Sequence, residues 1–214
     1  MKQMTDTEYI RSLIAEGEHQ HQDFKFEISD ARKIAKTLSA FANTEGGRLL
    51  IGVKDNGKIA GVRSAEEQYM IEAAAQVYCT PCVECTMQAY VAEGRTVLLV
   101  DVPESLRKPI YAKDESGRGW AYIRIADENI LATPVHLRIW QQSGNPQGEL
   151  TEFTEREQLL LRLLEENERL SLGKYCRLAN ISRRSAEHLM ARLVRYGIVE
   201  PVFEAHKFHF RLKR

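Results

Sequence analysis

Residues Phe41–Gly61 read FANTEGGRLLIGVKDNGKIAG. Glycines flank an apolar run, so the first question is whether they cradle a phosphate or only bend the backbone. Upstream, ARKIAKTLSAFANT places Ile34, Leu38 and Phe41 at i, i+4 and i+7, with Ala35 and Ala42 extending the same face; that spacing predicts an amphipathic helix. Asn43 to Gly47 should stop it, because Asn and Gly tolerate the left-handed conformation of a helix C-terminus. RLLIGV then reads as a buried strand with Leu49, Ile51 and Val53 on one side. Asn56-Gly57 between apolar segments predicts a type I′ hairpin turn, with KIAGV as the returning strand. The chain holds no GxxxxGK[ST] loop. Nor does a GxGxxG open a helix after a strand, since here the helix precedes the glycines. The glycines are therefore assigned backbone roles, and no motif supports a nucleotide site.

Working outward, SAEEQYMIEAAAQVY predicts a helix with Ser64 and Glu67 as a capping box and Met70, Ala74 and Val77 facing inward. VECTMQAYV and RTVLLVDV flank Glu93-Gly94, and KPIYAK and WAYIRIA flank DESGRG, as two further hairpins. TPVHLRIW closes this part as a short helix capped by Thr133. Hairpins followed by helices, without strict β-α-β alternation, predict an α+β fold: a mixed sheet with packed helices.

The remainder reads as a second module. Thr154 and Glu157 form a capping box ahead of Leu159, Leu160, Leu163 and Leu164. A second short helix turns Leu172, Tyr175, Cys176 and Ala179 inward. A third, capped by Ser182 and ended by Gly197, buries Ala186, Leu189, Met190, Leu193 and Val194. That leaves Arg183, Arg184, Glu187, His188, Arg192 and Arg195 outward. IVEPVFE turns near Ala205-His206 and returns as KFHFRLK, whose alternation predicts a half-buried strand. The expected domains are 1–142, a linker at 143–151 marked by Gly144, Pro146 and Gly148, and 152–214.

The 30 basic and 30 acidic side chains cancel overall, but they are not evenly spread. Residues 151–214 carry 13 Lys and Arg against 9 Asp and Glu, and from Arg169 onward 11 face three acids, Glu187, Glu200 and Glu204. A basic C-terminal module points to a polyanion partner. No run of about 18 apolar residues is present, so no membrane span is expected. The N-terminus lacks a signal-like apolar segment. Four cysteines then read as reduced thiols of a cytoplasmic protein. Cys79, Cys82 and Cys85 have zinc-like spacing without a fourth ligand nearby, which favours buried thiols over a metal site.

The long central motif, with DFK at Asp23–Lys25 and the later AYIRIADENILAT, closely resembles the Schlafen/AlbA-2 domain family over about residues 5–142. The resemblance implies an α+β nucleic-acid-binding domain of the kind found in bacterial transcriptional regulators. It also carries an ATP-binding label that no motif here supports. It singles out Lys25 and Arg124, while Lys54 and Lys58 bracket the hairpin tip, with Arg48 and Arg63 nearby. Some Schlafen proteins resemble nucleases with two acids five residues apart and a later aspartate; Glu18, Asp23 and Asp55 match, with Asp where Glu is usual. Such a trio would take Mg2+ or Mn2+, against the alternative of a salt bridge to Lys25.

The C-terminal module resembles a winged helix-turn-helix. That likeness implies a third helix in the major groove of double-stranded DNA, with Arg183 and Arg184 at base edges. His188, Arg192, Arg195, Lys207, Arg211 and Lys213 complete the expected contact set. A homodimer would accompany a palindromic site. The sequence therefore predicts a DNA-binding transcriptional regulator without a cofactor; a metal nuclease and a protein-binding scaffold are the competing readings.

Overall fold

The helix that precedes the glycines is α2, Ala31–Asn43, capped by Asp30, whose carboxylate accepts from the Arg32 N–H at 2.8 Å. It ends where Asn and Gly were expected to stop it, and the Gly46 N–H closes back on the Phe41 carbonyl at 2.9 Å. The computed structural model describes residues 4–142 and 154–213, and within it the apolar run after α2 is β2, Gly47–Ile51. β1 (Gln22–Lys25) pairs with β2 in parallel, and β5 (Arg95–Val102) and β4 (Thr86–Ala92) continue antiparallel, giving the order β1-β2-β5-β4.

Both faces of β2 are buried. Leu49 and Ile51 pack with Leu38, Phe41 and Val100. Leu50 packs on the other side with Phe24, Leu99, and Ile10 and Leu13 of α1, Asp6–Glu16. Val53 joins Leu50 rather than Leu49 and Ile51, because Gly52 at φ +93° turns the strand over. A side chain at Gly52 would sit 2.8 Å from the backbone of Gly61. The N–H groups of Ala60 and Gly61 both reach the Gly52 carbonyl, at 2.8 and 2.9 Å. This glycine lets two backbones touch, which answers the opening question in favour of geometry. The hairpin at 54–58 is not a type I′ turn: Gly57 takes positive φ and Asn56 does not. The Asn56 side chain instead accepts from the Lys58 N–H at 3.1 Å.

α3, Glu66–Ala73, starts one residue later than its capping box implied, although Ser64 and Glu67 do meet. It widens into a π turn at Ala74–Tyr78. The wider turn rotates the inner face, so Ile71, Ala74 and Ala75 are buried while Val77 is exposed. A second, antiparallel sheet follows in the order β3 (Cys79–Thr80), β6 (Tyr111–Lys113), β7 (Gly119–Ile125) and β8 (Glu128–Leu131).

α2 lies between the two sheets, and its polar side chains join it to the second. Asn43, buried, donates to the carbonyls of Ile110 at 2.8 Å and Tyr122 at 2.9 Å and accepts from the Ile110 N–H at 2.7 Å. Ser39 also donates to Ile110, and the Thr44 hydroxyl accepts from the Arg124 N–H at 2.9 Å. The polar letters of the motif thus satisfy backbone groups that would otherwise be buried and unpaired.

The chain divides into two units, Met1–Ala132 and Thr133–Arg214. The helix α4, Pro134–Gln142, therefore belongs with the second unit, not with the first as the sequence implied. Its Val135 and Ile139 pack in the second core with Leu160, Tyr175, Met190 and Phe210. That core is completed by α5 (Glu155–Glu166), α6 (Leu172–Leu178), α7 (Arg183–Arg195) and the antiparallel pair β9 (Val199–Glu204) and β10 (Lys207–Leu212). The proposed linker at 143–151 lies outside the described residues. Among the described residues, no helix is long and apolar enough to cross a membrane.

His136 gives the second unit a pH dependence. Its Nδ1 accepts from the Thr133 N–H at 3.2 Å, and its ring packs edge-on against Phe208 with centroids 4.9 Å apart. Burial pushes the imidazole from 6.5 down to about 4, because the charged form would be desolvated. The folded value lies below the unfolded one, so the unfolded chain binds the extra proton between them. Stability should be complete above about pH 6.5 and fall by roughly 2–3 kcal/mol towards pH 4. Urea midpoints of the second unit's transition should show this slope, and a His136→Asn variant should lose it.

Candidate nucleic-acid interface

In the second unit, α7 begins at Ser182, whose hydroxyl accepts from the Ser185 N–H at 3.1 Å. Its apolar stripe of Ala186, Leu189, Met190 and Leu193 is buried, which fixes the outward direction of the remaining positions. Arg184, His188 and Arg195 are exposed. The Arg183 side chain is 72% exposed while its Nε donates to Glu187 at 3.3 Å. Glu187, which the sequence placed on the outer face, is buried instead, held from α4 by Arg138 at 3.2 Å. Arg138 also meets His188 at 3.1 Å, and Arg195 donates to Gln142 at 3.3 Å. α4 therefore lines one flank of α7, a packing that sequence reasoning missed because it assigned α4 to the first domain.

Arg192 departs further from its expected role. It pairs with the fully buried Glu157 of α5. A buried carboxylate needs such a partner, so Arg192 is a structural cation rather than a phosphate contact. On the hairpin, Lys207 and Lys213 are exposed, while Arg211 is bound across the strands to Glu200 at 2.7 Å. Of the cations that the sequence assigned to DNA in this unit, Arg183, Arg184, Arg195, Lys207 and Lys213 thus stay exposed and clear of a buried or cross-strand acid.

The first unit assembles a basic surface of its own. Lys54, Lys58, Arg63 and Arg95 line a hollow of about 390 Å3 around Phe26. Lys54 Nζ lies 4.7 Å from the Phe26 ring centroid and the Arg63 guanidinium 5.7 Å from it. Arg63 pairs with Glu27 at 3.0 Å with both side chains well exposed, and Arg95 donates to the Ala60 carbonyl at 2.7 Å. Phe26 and Arg95 were not legible as site residues. They come from β1's exit and from the start of β5, which are distant in sequence and joined only by the sheet. Four cations beside an aromatic ring suit a phosphate-bearing strand.

Lys25 and Arg124, singled out together by the motif, separate here. Lys25 is half-exposed and pairs with Asp23 at 2.5 Å. Arg124 is 2% exposed. Its guanidinium donates to Asp23 at 3.2 Å, to the Gln22 carbonyl at 3.1 Å and to Asn129 at 3.0 Å, and it lies 5.2 Å from the Phe41 ring. It cannot reach a phosphate; its role is to hold β7 to β1.

The three acids do not form a metal-binding set. Asp23 faces Arg124 and Lys25. Glu18 accepts from the Phe24 N–H at 2.8 Å, and burial, with Asp23 adding to it, pushes its carboxyl above the usual range. Asp55 is exposed on the 54–58 hairpin. Two cations neutralising Asp23 leave little negative charge for a divalent ion, and among the described residues no three such side chains cluster. The cysteines separate as well. Cys79 is buried, with burial pushing its thiol up to about 12, whereas Cys82 is exposed and Cys85 partly so.

A family model described as Schlafen, AlbA_2 matches residues 18–133, over half of the 214-residue chain. No curated protein matches. Among solved structures, the chain is similar to the DIP2311 protein from Corynebacterium diphtheriae at 21% identity, with TM-score 0.46, over 70% of this chain and 34% of that one. It is also similar to the N-terminal domain of a RecG-related protein from Nitrosomonas europaea at 27% identity, with TM-score 0.42, over 58% and 89%. The chain thus spans about a third of the length of the first of these.

Proposed function

From the premise that this chain belongs to the Schlafen, AlbA_2 family, we propose that it is a DNA-binding protein that regulates transcription. In the second unit, α5, α6 and α7 with the β9–β10 hairpin support a winged helix-turn-helix reading, with α7 entering the major groove and the hairpin beside it. The first unit's hollow around Phe26 contributes backbone contacts through Lys54, Lys58, Arg63 and Arg95. Double-stranded DNA is the partner, and a two-fold symmetric site would call for a homodimer.

The observation that carries this reading is the first turn of α7. Arg183 and Arg184 stand outward there, with His188 one turn on. Arginine at that position can bond bidentately to guanine, each good pair giving about 1–3 kcal/mol of discrimination. Selection from a random duplex pool is the test. Arg184→Ala should flatten sequence preference at one or two positions while leaving overall affinity within about tenfold. Lys213→Ala, by contrast, should weaken all sequences alike and reduce the salt slope by about one unit. Sequence preferences identical to wild type in both Arg183→Ala and Arg184→Ala would remove α7 from the role of reader.

A further inference from the structure

A second cavity, about 430 Å3, opens entirely within the second unit. Its walls are apolar: Val135 from α4, Leu172 at the start of α6, and Phe208 and Phe210 on β10. Two cations line it, Arg183 and Lys207, and no carboxylate does. His209 lines it as well. The volume lies within the range of about 300–1,000 Å3 usual for small-molecule sites, and such sites combine apolar walls with a few placed polar groups.

We propose that this cavity is an effector site for a small organic acid with an apolar body, such as an aryl or branched-chain carboxylate. The carboxylate would pair with Arg183 and Lys207, and the apolar part would lie against Phe208 and Leu172. A bare inorganic anion would leave the apolar walls wet, and a neutral hydrocarbon would leave Lys207 and the outer edge of Arg183, whose Nε meets Glu187, unused. The chemistry therefore selects a molecule with both parts.

The position has a regulatory consequence, which rests on the DNA-binding reading above. Arg183 belongs both to this cavity and to the first turn of α7. An acid that holds Arg183 and Lys207 withdraws two cations from DNA, so acid and duplex should oppose one another. By linkage the opposition is reciprocal: each weakens the other's binding by the same factor.

The test uses the 214-residue protein without DNA first. Phenylacetate, phenylacetamide, isovalerate and acetate are titrated while imidazole and aromatic resonances are followed by NMR, with affinities from calorimetry. Phenylacetate or isovalerate should saturate in the millimolar range or tighter and shift His209 and Phe208. Phenylacetamide and acetate should bind about tenfold more weakly or worse, one lacking the charge and the other the body. Lys207→Ala should weaken phenylacetate about tenfold, and Leu172→Trp, checked for an unchanged melting temperature, should abolish binding by filling the cavity. Equal binding of phenylacetamide and phenylacetate, undiminished binding to Leu172→Trp, or no shift at His209 with any of these acids would overturn the site. Titration is then repeated with bound duplex. Release of DNA by phenylacetate in wild type but not in Leu172→Trp supports the coupling. Acid binding with unchanged DNA affinity overturns the coupling, and acid binding by a protein that binds no duplex at all overturns the DNA reading while leaving the cavity assigned.

Discussion

Arg124→Met should destabilise the first unit by about 4 kcal/mol, the cost of breaking a buried charge pair from one side. Arg124 is almost fully buried and holds Asp23, the Gln22 carbonyl and Asn129 together. Methionine replaces the aliphatic stem but none of those donors, and it leaves Asp23 with Lys25 alone. At roughly 3–5 °C per kcal/mol for a unit of this size, the first transition should drop by about 15 °C. Adding Asp23→Asn should recover part of the loss, since the uncompensated charge is then gone. A double-mutant cycle measured by urea unfolding checks this directly. If Arg124→Met is as stable as wild type yet binds DNA more weakly, the buried assignment is wrong and Arg124 is a contact residue after all.

Asn43→Ala should cost about 3 kcal/mol, although it adds a good helix former at the end of α2. The reason is bookkeeping of backbone groups. Without the amide, the Ile110 N–H and the Tyr122 carbonyl lose their Asn43 partner, while the Ile110 carbonyl keeps Ser39. Asn43→Asp preserves shape and the acceptor for Ile110 but cannot donate to two carbonyls while ionised. It should therefore be similarly destabilised at neutral pH. Thermal melts of both variants, with Ser39→Ala as a milder companion, test the assignment. A neutral Asn43→Ala would mean that α2 is held to the second sheet by apolar packing alone.

These two residues show what the sequence did and did not reveal. Apolar periodicity located α2, β2 and α7, because burial of Ile34, Leu38 and Phe41 or of Ala186, Leu189 and Met190 imposes a spacing that survives in one dimension. Turn chemistry located the β4–β5 and β6–β7 hairpins, but after Asn56-Gly57 the expected returning strand is only an isolated Val53–Ile59 bridge, and the turn differs in type because Asn56 uses its side chain instead of positive φ. The roles of Asn43 and Arg124 were not legible. Apart from Asn129, the partners that define those roles lie 67 to 102 positions away, and a polar residue in a motif looks the same whether it meets solvent, ligand or a distant carbonyl. Charge was misleading for a similar reason. Arg192 and Glu157 neutralise one another inside the second unit, so a count of basic residues overstated the surface they offer. The domain boundary moved because Val135 and Ile139 answer to a core that forms with α7, which local pattern could not announce.

DNA binding as proposed requires that the open cations of α7 and the hairpin, with those around Phe26, engage the phosphates and bases of a duplex. Its most direct test is the affinity of the 214-residue protein for its selected duplex and for a scrambled one, followed across a range of salt. The slope of log K against log salt should lie near −4 to −6, as expected for about five or six phosphate contacts. The selected duplex should be preferred by at least about a thousandfold at physiological salt. Binding that does not change with salt, or that treats both duplexes alike, would contradict it.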